Sequence, residues 1–538
     1  MSSKTVEKNG LVMLVDNPKD PVLANPDLDP SGEKDRTWSW LNLAALWVGM
    51  SVCVPTYILA ASLVEQGMNW WEAMLAILLG NSIVLVPMIL NAHAGTRYGI
   101  PFPVFARSAF GVFGAHVPSI ARALVACGWF GIQTYIGGEA LSEMIGAVWP
   151  AWLHLGAGAQ AVAACPTELL EGWTCVADGS GFSLIEPIPH FIGLSPASWI
   201  AFGVFWGINV FFIVKGTESI KWLENIAAPF LLIIGVALLW WAIDAAGGLG
   251  VILDKSSTLV KAEQQHTGMS FVLLVFLPGV TAMLGYWATL SLNIPDFSRY
   301  CRSQKDQVLG QIAGLPTTMV LFSFIGVVVT AATVILYGEP IWDPVKLVVR
   351  LSRDSGSPWL AFLAMLALAI ATLSTNIAAN IVSPANSFSN ALPRHISFRV
   401  GGLLAAAVGV LMCPWLLLGE FIGWLVSYSG LLGAVGGVMI ADYWMLRRTK
   451  LDLAQLYDSK GIYRYVGGFN IPAIVAMAIG IGVVLLGKVH ESLGFLFQGA
   501  WFSGFLTSAA VYFIWMKVAP PKGHEHPEQL DGTQEATP

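Results

Sequence analysis

Charge is what this chain has least of. Asp, Glu, Lys and Arg together make up 12% of its 538 residues, against about 25% in an ordinary soluble domain. A chain with so few solvated side chains cannot cover itself in water, which excludes a soluble globule. Cysteine is scarce as well, with six copies and no CxxC pair. No HExxH, GxSxG or phosphate-binding glycine loop occurs, and His93, His116, His190, His266, His395 and His490 show no metal-ligand spacing. An enzyme working at membrane depth needs a nucleophile, a metal or an acid–base pair. The sequence offers none, so it does not read as an enzyme. Its basic residues are dispersed over short loops, not gathered into a nucleic-acid patch.

What is abundant is apolar sequence, 55% of the chain at a mean hydropathy of +0.66. Uncharged stretches such as 37–64, 307–338, 355–393 and 465–487 exceed the roughly 18–20 residues that a spanning helix needs. They predict an all-α integral membrane protein with about 12 transmembrane helices, since helices of that length, not barrel strands, satisfy their backbone in lipid. The transmembrane domain is expected over 37–518. The polar segments 1–36 and 519–538 read as disordered tails. Most of the 28 Lys and Arg fall on alternate connections beginning with the N-terminal one. That bias predicts a multi-pass protein of the cytoplasmic membrane with both termini inside. Many of the 22 Trp, among them Trp38, Trp70, Trp71, Trp149, Trp152, Trp240 and Trp241, sit at span ends, where aromatic belts form.

Cys53, Cys127 and Cys413 lie inside spans as small core residues, and Cys301 lies on an inner loop. Cys165 and Cys175 share the long outer loop 150–190. In an oxidising exterior they form either a structural disulfide or two free thiols.

Two spans carry helix breakers in corresponding places: Gly49 and Pro55 in the first, Pro278, Gly279 and Gly285 in the sixth. Pro removes a backbone donor and clashes with the preceding turn, so both spans are expected to be broken or kinked mid-membrane. Broken helices in matching positions suggest an inverted repeat of five plus five helices with two added. The repeats would cover about 37–247 and 265–445, and the extra helices 465–518.

The eighth span, "ATLSTNIAANIVSP" at 371–384, carries Thr372, Ser374, Thr375, Asn376 and Asn380. Polar groups at that depth cost free energy unless they are bound. Two readings fit. In one, hydroxyl and carbonyl oxygens hold a hard cation while Asn376 and Asn380, four apart on one face, bind the edge of a planar amide. In the other, Ser and Thr bond back to their own helix and Asn ties neighbouring helices together. The third span places Trp129 and Gln133 four residues apart, so an indole face and a carboxamide can meet one flat heterocycle. Trp287 supplies a candidate second wall.

The stretches "LNAHAGTRYGIPFPVFARSAFG" (90–111), "WATLSLNIPDFSRYCRSQKDQVLGQIAGLP" (287–316), "STNIAANIVSPA" (374–385) and "IADYWMLRRTKLDLAQLYDSKGIYRY" (440–465) resemble nucleobase–cation symporter family 1, in order over nearly the whole chain. The resemblance implies the LeuT-like five-plus-five architecture with broken helices 1 and 6 and two extra helices. It further implies a substrate ring between Trp129 and Trp287, bonded by Gln133 and Asn380 beside Asn376. Sodium would be held by the carbonyls of Gly49, Val52 and Ala371 and the hydroxyls of Ser374 and Thr375. Leu425 would be a gate. One position departs: a hydantoin carrier of the family has Gln where this chain has Cys53, which puts hydantoin itself in question.

The reading is a monomeric symporter that imports a small planar nucleobase or cyclic ureide such as uracil, allantoin or hydantoin with Na⁺, by alternating access and without a cofactor. The competing reading is a proton-coupled permease of the same fold for cytosine, a purine or thiamine.

Overall fold

The structure is a computed structural model that describes residues 5–16, 20–162, 165, 173–178, 181–215, 232–256 and 266–521. Its principal helices are α1 (Trp40–Ser51), α2 (Val54–Glu65), α3 (Trp70–Tyr98), α4 (Phe102–Phe110), α5 (His116–Val148), α6 (Pro196–Lys215) and α7 (Leu232–Ala245). After these come α8 (Gly268–Asn293), α9 (Gln304–Tyr337), α10 (Pro344–Ser355), α11 (Pro358–Asn380), α12 (Val382–Ala391) and α13 (Phe398–Leu411). The last three are α14 (Phe421–Ile440), α15 (Ile471–Val489) and α16 (Ala500–Val518).

Among the described residues seven helices are long and apolar enough to cross a membrane, or nine if two bent pairs each count as one span. Helices α7 and α13 are apolar but shorter. Helix α5 runs for 33 residues and carries Arg122, Glu139 and Glu143. A total of twelve requires these three to cross as well. Large apolar side chains such as Leu363, Phe211 and Leu506 are exposed on the outside of the bundle, as lipid-facing residues are.

The first span is broken. α1 ends at Ser51, Val52 leaves helical geometry at φ −81° and ψ 81°, and Cys53 is extended. Val54 then begins α2 at a 60° bend, with Pro55 in its first turn, where the missing N–H belongs to an open turn anyway. The sixth span differs from expectation. α8 is continuous through Pro278, Gly279 and Gly285, and its irregularity is a π-turn at Val272–Phe276. The wide turn just before Pro278 accommodates both the ring and the missing donor, so no break is needed.

The N-terminal segment corrects a second expectation. Residues 5–16 and 20–36 are folded, not a disordered tail. Strands β1 (Thr5–Lys8) and β2 (Leu11–Leu14) pair antiparallel. Asn25 Nδ2 then donates to the carbonyls of Pro393 and Ile396 at 3.0 and 3.1 Å. Tyr457 donates to Leu28 O at 2.7 Å, and buried Arg36 donates to the carbonyls of Ser31 and Thr96. Side chains that read as solvated instead satisfy backbone carbonyls left open at loops and helix ends. Of the expected C-terminal tail at 519–538, residues 522–538 lie outside the described residues. At the other end of α5, strands β3 (Ala159–Val162), β4 (Thr174–Asp178) and β5 (Gly181–Ile185) form a sheet in the order β3-β5-β4. There Cys165 and Cys175 are joined in a disulfide with Cα atoms 5.7 Å apart.

Candidate substrate and cation site

One turn of α5 separates Trp129 from Gln133, so both point the same way. They meet Met50 from the end of α1, Tyr286, Trp287, Thr289 and Leu290 from α8, and Thr375, Ala379 and Asn380 from α11 around one cavity. Its free volume is about 20 Å³, room for roughly one water. Two polar atoms at its wall, Gln133 Oε1 and Trp287 Nε1, are buried without a hydrogen-bond partner. Each is costly to leave so. Together they offer a carbonyl acceptor and an N–H donor in a surround whose other polar side chains include Thr289, Thr375 and Asn380.

The walls are braced from α14. Trp129 Nε1 donates to Tyr428 Oη at 3.0 Å, and Tyr428 donates to Gly285 O at 2.7 Å. Phe421 and Trp424 flank the Trp129 indole at centroid distances of 5.7 and 5.1 Å, while Trp47 meets Trp287 edge-on at 5.2 Å. Gly285 is required where it stands. A Cβ there would come within 2.6 Å of Leu425 O.

Beside this cavity lies the broken end of α1. Carbonyls in the last turn of a helix lack an intrahelical donor, and Thr375 Oγ1 reaches one of them, Gly49 O, at 3.2 Å. Ala371, Ser374 and Val52 are buried on the same two elements. The donor set is all neutral oxygen, which fits a hard monovalent cation and suits no soft metal.

Three expected residues are placed differently. Asn376 does not line the cavity. Its Nδ2 is shared among Phe130 O, Thr134 Oγ1 and Asn209 Oδ1 at 3.1 to 3.2 Å, and its Oδ1 accepts from Asn380 Nδ2 at 3.0 Å. It ties α11 to α5 and α6 and orients Asn380, because a carboxamide with three acceptors in reach has no donor left for a ligand. Cys53 is also set back from the cavity. Its thiol lies 3.2 Å from Tyr286 Oη and 3.3 Å from Thr56 Oγ1. Leu425 is fully buried against Gly285 and is not part of the cavity wall. Sequence reasoning missed Tyr286 and Tyr428; a phenol in an apolar span, which must find a partner, was the available signal.

Comparison with known proteins identifies the family. The profile of a family described as "Permease for cytosine/purines, uracil, thiamine, allantoin" matches residues 30–170 and 174–507. A purine-uracil permease of Arabidopsis thaliana is 40% identical over 92% of this chain and 78% of its own length. An allantoin permease of Bacillus subtilis is 36% identical over 93% and 94%. Among solved structures, a nucleobase-cation-symport-1 transporter in a closed conformation with bromovinylhydantoin bound superposes with a TM-score of 0.72. It is 26% identical over 94% of this chain and 98% of that one. The fold is therefore that of a multi-pass membrane permease, not of an enzyme. The chain belongs to the nucleobase–cation symporter family 1.

Proposed function

We propose that the protein is a sodium-coupled importer of a small planar nucleobase or cyclic ureide, of the uracil, allantoin or hydantoin type. The carrying observation is the pair of unpartnered polar atoms on Gln133 and Trp287 in a cavity walled by two indoles and adjoining the broken end of α1. The ring stacks between Trp129 and Trp287. Its alternating C=O and N–H edge meets Gln133 and Asn380, since a carboxamide can donate and accept at once. Sodium, the coupled cargo, sits among the oxygens of Gly49, Val52, Ala371, Ser374 and Thr375. Thr375 belongs to both sites: its hydroxyl contacts α1 and it lines the ring cavity. That shared residue supports linkage, in which each ligand raises the other's affinity, typically by about 1–3 kcal/mol.

Alternating access then works by rocking the two five-helix repeats about this site, with Leu425 on α14 closing against Gly285 on α8 as the gate. The protein acts as a monomer in the cytoplasmic membrane with both termini inside. Thermal stabilisation of the purified protein against a panel of nucleobases and ureides, with and without Na⁺, tests the reading. We expect a ring that stabilises only when Na⁺ is present. Stabilisation indifferent to Na⁺ but dependent on pH would replace sodium with a proton. Uptake by the Ser374→Ala/Thr375→Ala variant that stays unchanged at low sodium would remove the cation site.

A further inference from the structure

A third ring touches both of the indoles that wall the cavity. The Tyr286 centroid is 5.0 Å from that of Trp129 and 4.9 Å from that of Trp287, at interplanar angles of 82° and 86°. Edge-to-face contacts with both indoles are favourable for aromatic pairs, so the phenol is well held against them. Tyr286 is also part of the cavity wall, and the free volume beside it is only about 20 Å³.

The hydroxyl of that ring is tethered. Tyr286 Oη lies 3.0 Å from Thr56 Oγ1 and 3.2 Å from Cys53 Sγ. These two partners flank the break in the first span, Cys53 at the bend and Thr56 in the first turn of α2. All three side chains are buried, so no water competes for the bonds. A hydroxyl shared between two neutral partners in a dry site is worth breaking only for a better contact.

We propose that Tyr286 is the specificity-determining residue of the ring site. Its aryl group sets how large a ring the two indoles admit, and its tether to Cys53 and Thr56 sets the free energy needed to move it aside. The inference rests on the substrate reading above and adds a size rule to it: one small ring is accepted, and a fused two-ring base is disfavoured. Cys53 then acts on selectivity through Tyr286 and without touching the ligand.

The test is binding of one-ring ligands (uracil, allantoin, hydantoin) and two-ring ligands (hypoxanthine, xanthine) to the full-length protein and to Tyr286→Ala and Tyr286→Phe, by calorimetry in detergent. In Tyr286→Ala the preference shifts toward two-ring ligands by tenfold or more. In Tyr286→Phe the ring and its size rule stay, but the tether is gone. One-ring ligands then bind about threefold to tenfold tighter, the worth of one or two neutral hydrogen bonds. An unchanged one-ring to two-ring ratio in the alanine variant overturns the size rule. If that variant does not fold, the phenylalanine variant decides: unchanged or weaker binding there overturns the tether, and weaker binding means that the hydroxyl contacts the ligand. If the unaltered chain binds no ring of either class, the substrate reading fails and takes this inference with it. If it binds one and the variants do not shift, only this inference fails.

Discussion

Asn376 is the residue at which the sequence and the geometry assign different work, and its replacement by alanine separates them. In the structure its Nδ2 serves acceptors on α5 and α6, and its Oδ1 holds the Asn380 amide. Removal strands two buried groups that have no substitute, Asn209 Oδ1 and Asn380 Nδ2. The other two acceptors bond one another, since Thr134 Oγ1 donates to Phe130 O at 2.7 Å. At about 1–3 kcal/mol for each of the two stranded groups, Asn376→Ala should lose roughly 2–6 kcal/mol of stability, read as a lower melting temperature in detergent. Ligand affinity should fall because the Asn380 amide must now be ordered by the ligand itself. Immobilising one such side chain costs about 0.5–1.5 kcal/mol, a factor of roughly 3–10 in Kd. The double-mutant cycle is decisive. In an Asn380→Ala background, Asn376→Ala should weaken binding no further, while the part of the stability loss that comes from Asn209 persists. Additive losses in affinity would show that Asn376 touches the ligand directly and would refute the positioning role.

Three further outcomes are expected. Gly285→Ala places a methyl 2.6 Å from Leu425 O, a backbone atom that cannot swing away. Prising α8 from α14 should cost about 1–3 kcal/mol and weaken ligand binding through the Tyr428 brace, and an unchanged melt with unchanged Kd would contradict the close packing. Asp442→Asn leaves Arg447, fully buried and bonded to that carboxylate at 2.7 Å, without its counter-charge. The loss should reach about 3–5 kcal/mol, and a second change, Arg447→Met, should recover part of it; folded yield and melting temperature report both. Asp20 anchors the N-terminal segment by accepting from Ser459 Oγ and N at 2.8 and 3.0 Å and from Val22 N and Leu23 N. Burial pushes its carboxyl up, but these four bonds outweigh burial and hold it below its ordinary 3.8. Its contribution is therefore present above that value and lost as pH falls through the lowered one. Deuterium uptake over 20–36 should rise at neutral pH in Asp20→Ala, and in the unaltered chain only below about pH 4.

What was legible in the sequence follows from which interactions leave a local trace. The break in the first span was visible because Pro55 announces a lost donor wherever it falls. Trp129 and Gln133 were visible as a pair because helical spacing alone puts them on one face. The N-terminal segment was misread because its bonds reach partners hundreds of residues away, such as Asn25 on Pro393, and no periodicity encodes that. The sixth span was misread for the opposite reason. Its Pro and Gly signal is local, but the π-turn that neutralises it uses only Val, Leu and Phe, which carry no mark of it. Asn376 and Asn380 show the limit within a single motif. Four residues apart, they share a face, yet one faces the ring cavity and the other faces α5 and α6, because Asn380 already donates to Asn376 and the two amides can only be satisfied as a chain. Spacing fixes which side chains are neighbours. Which of them remains free for a ligand is decided by the donors and acceptors on the helices packed against them, and those are chosen by the fold.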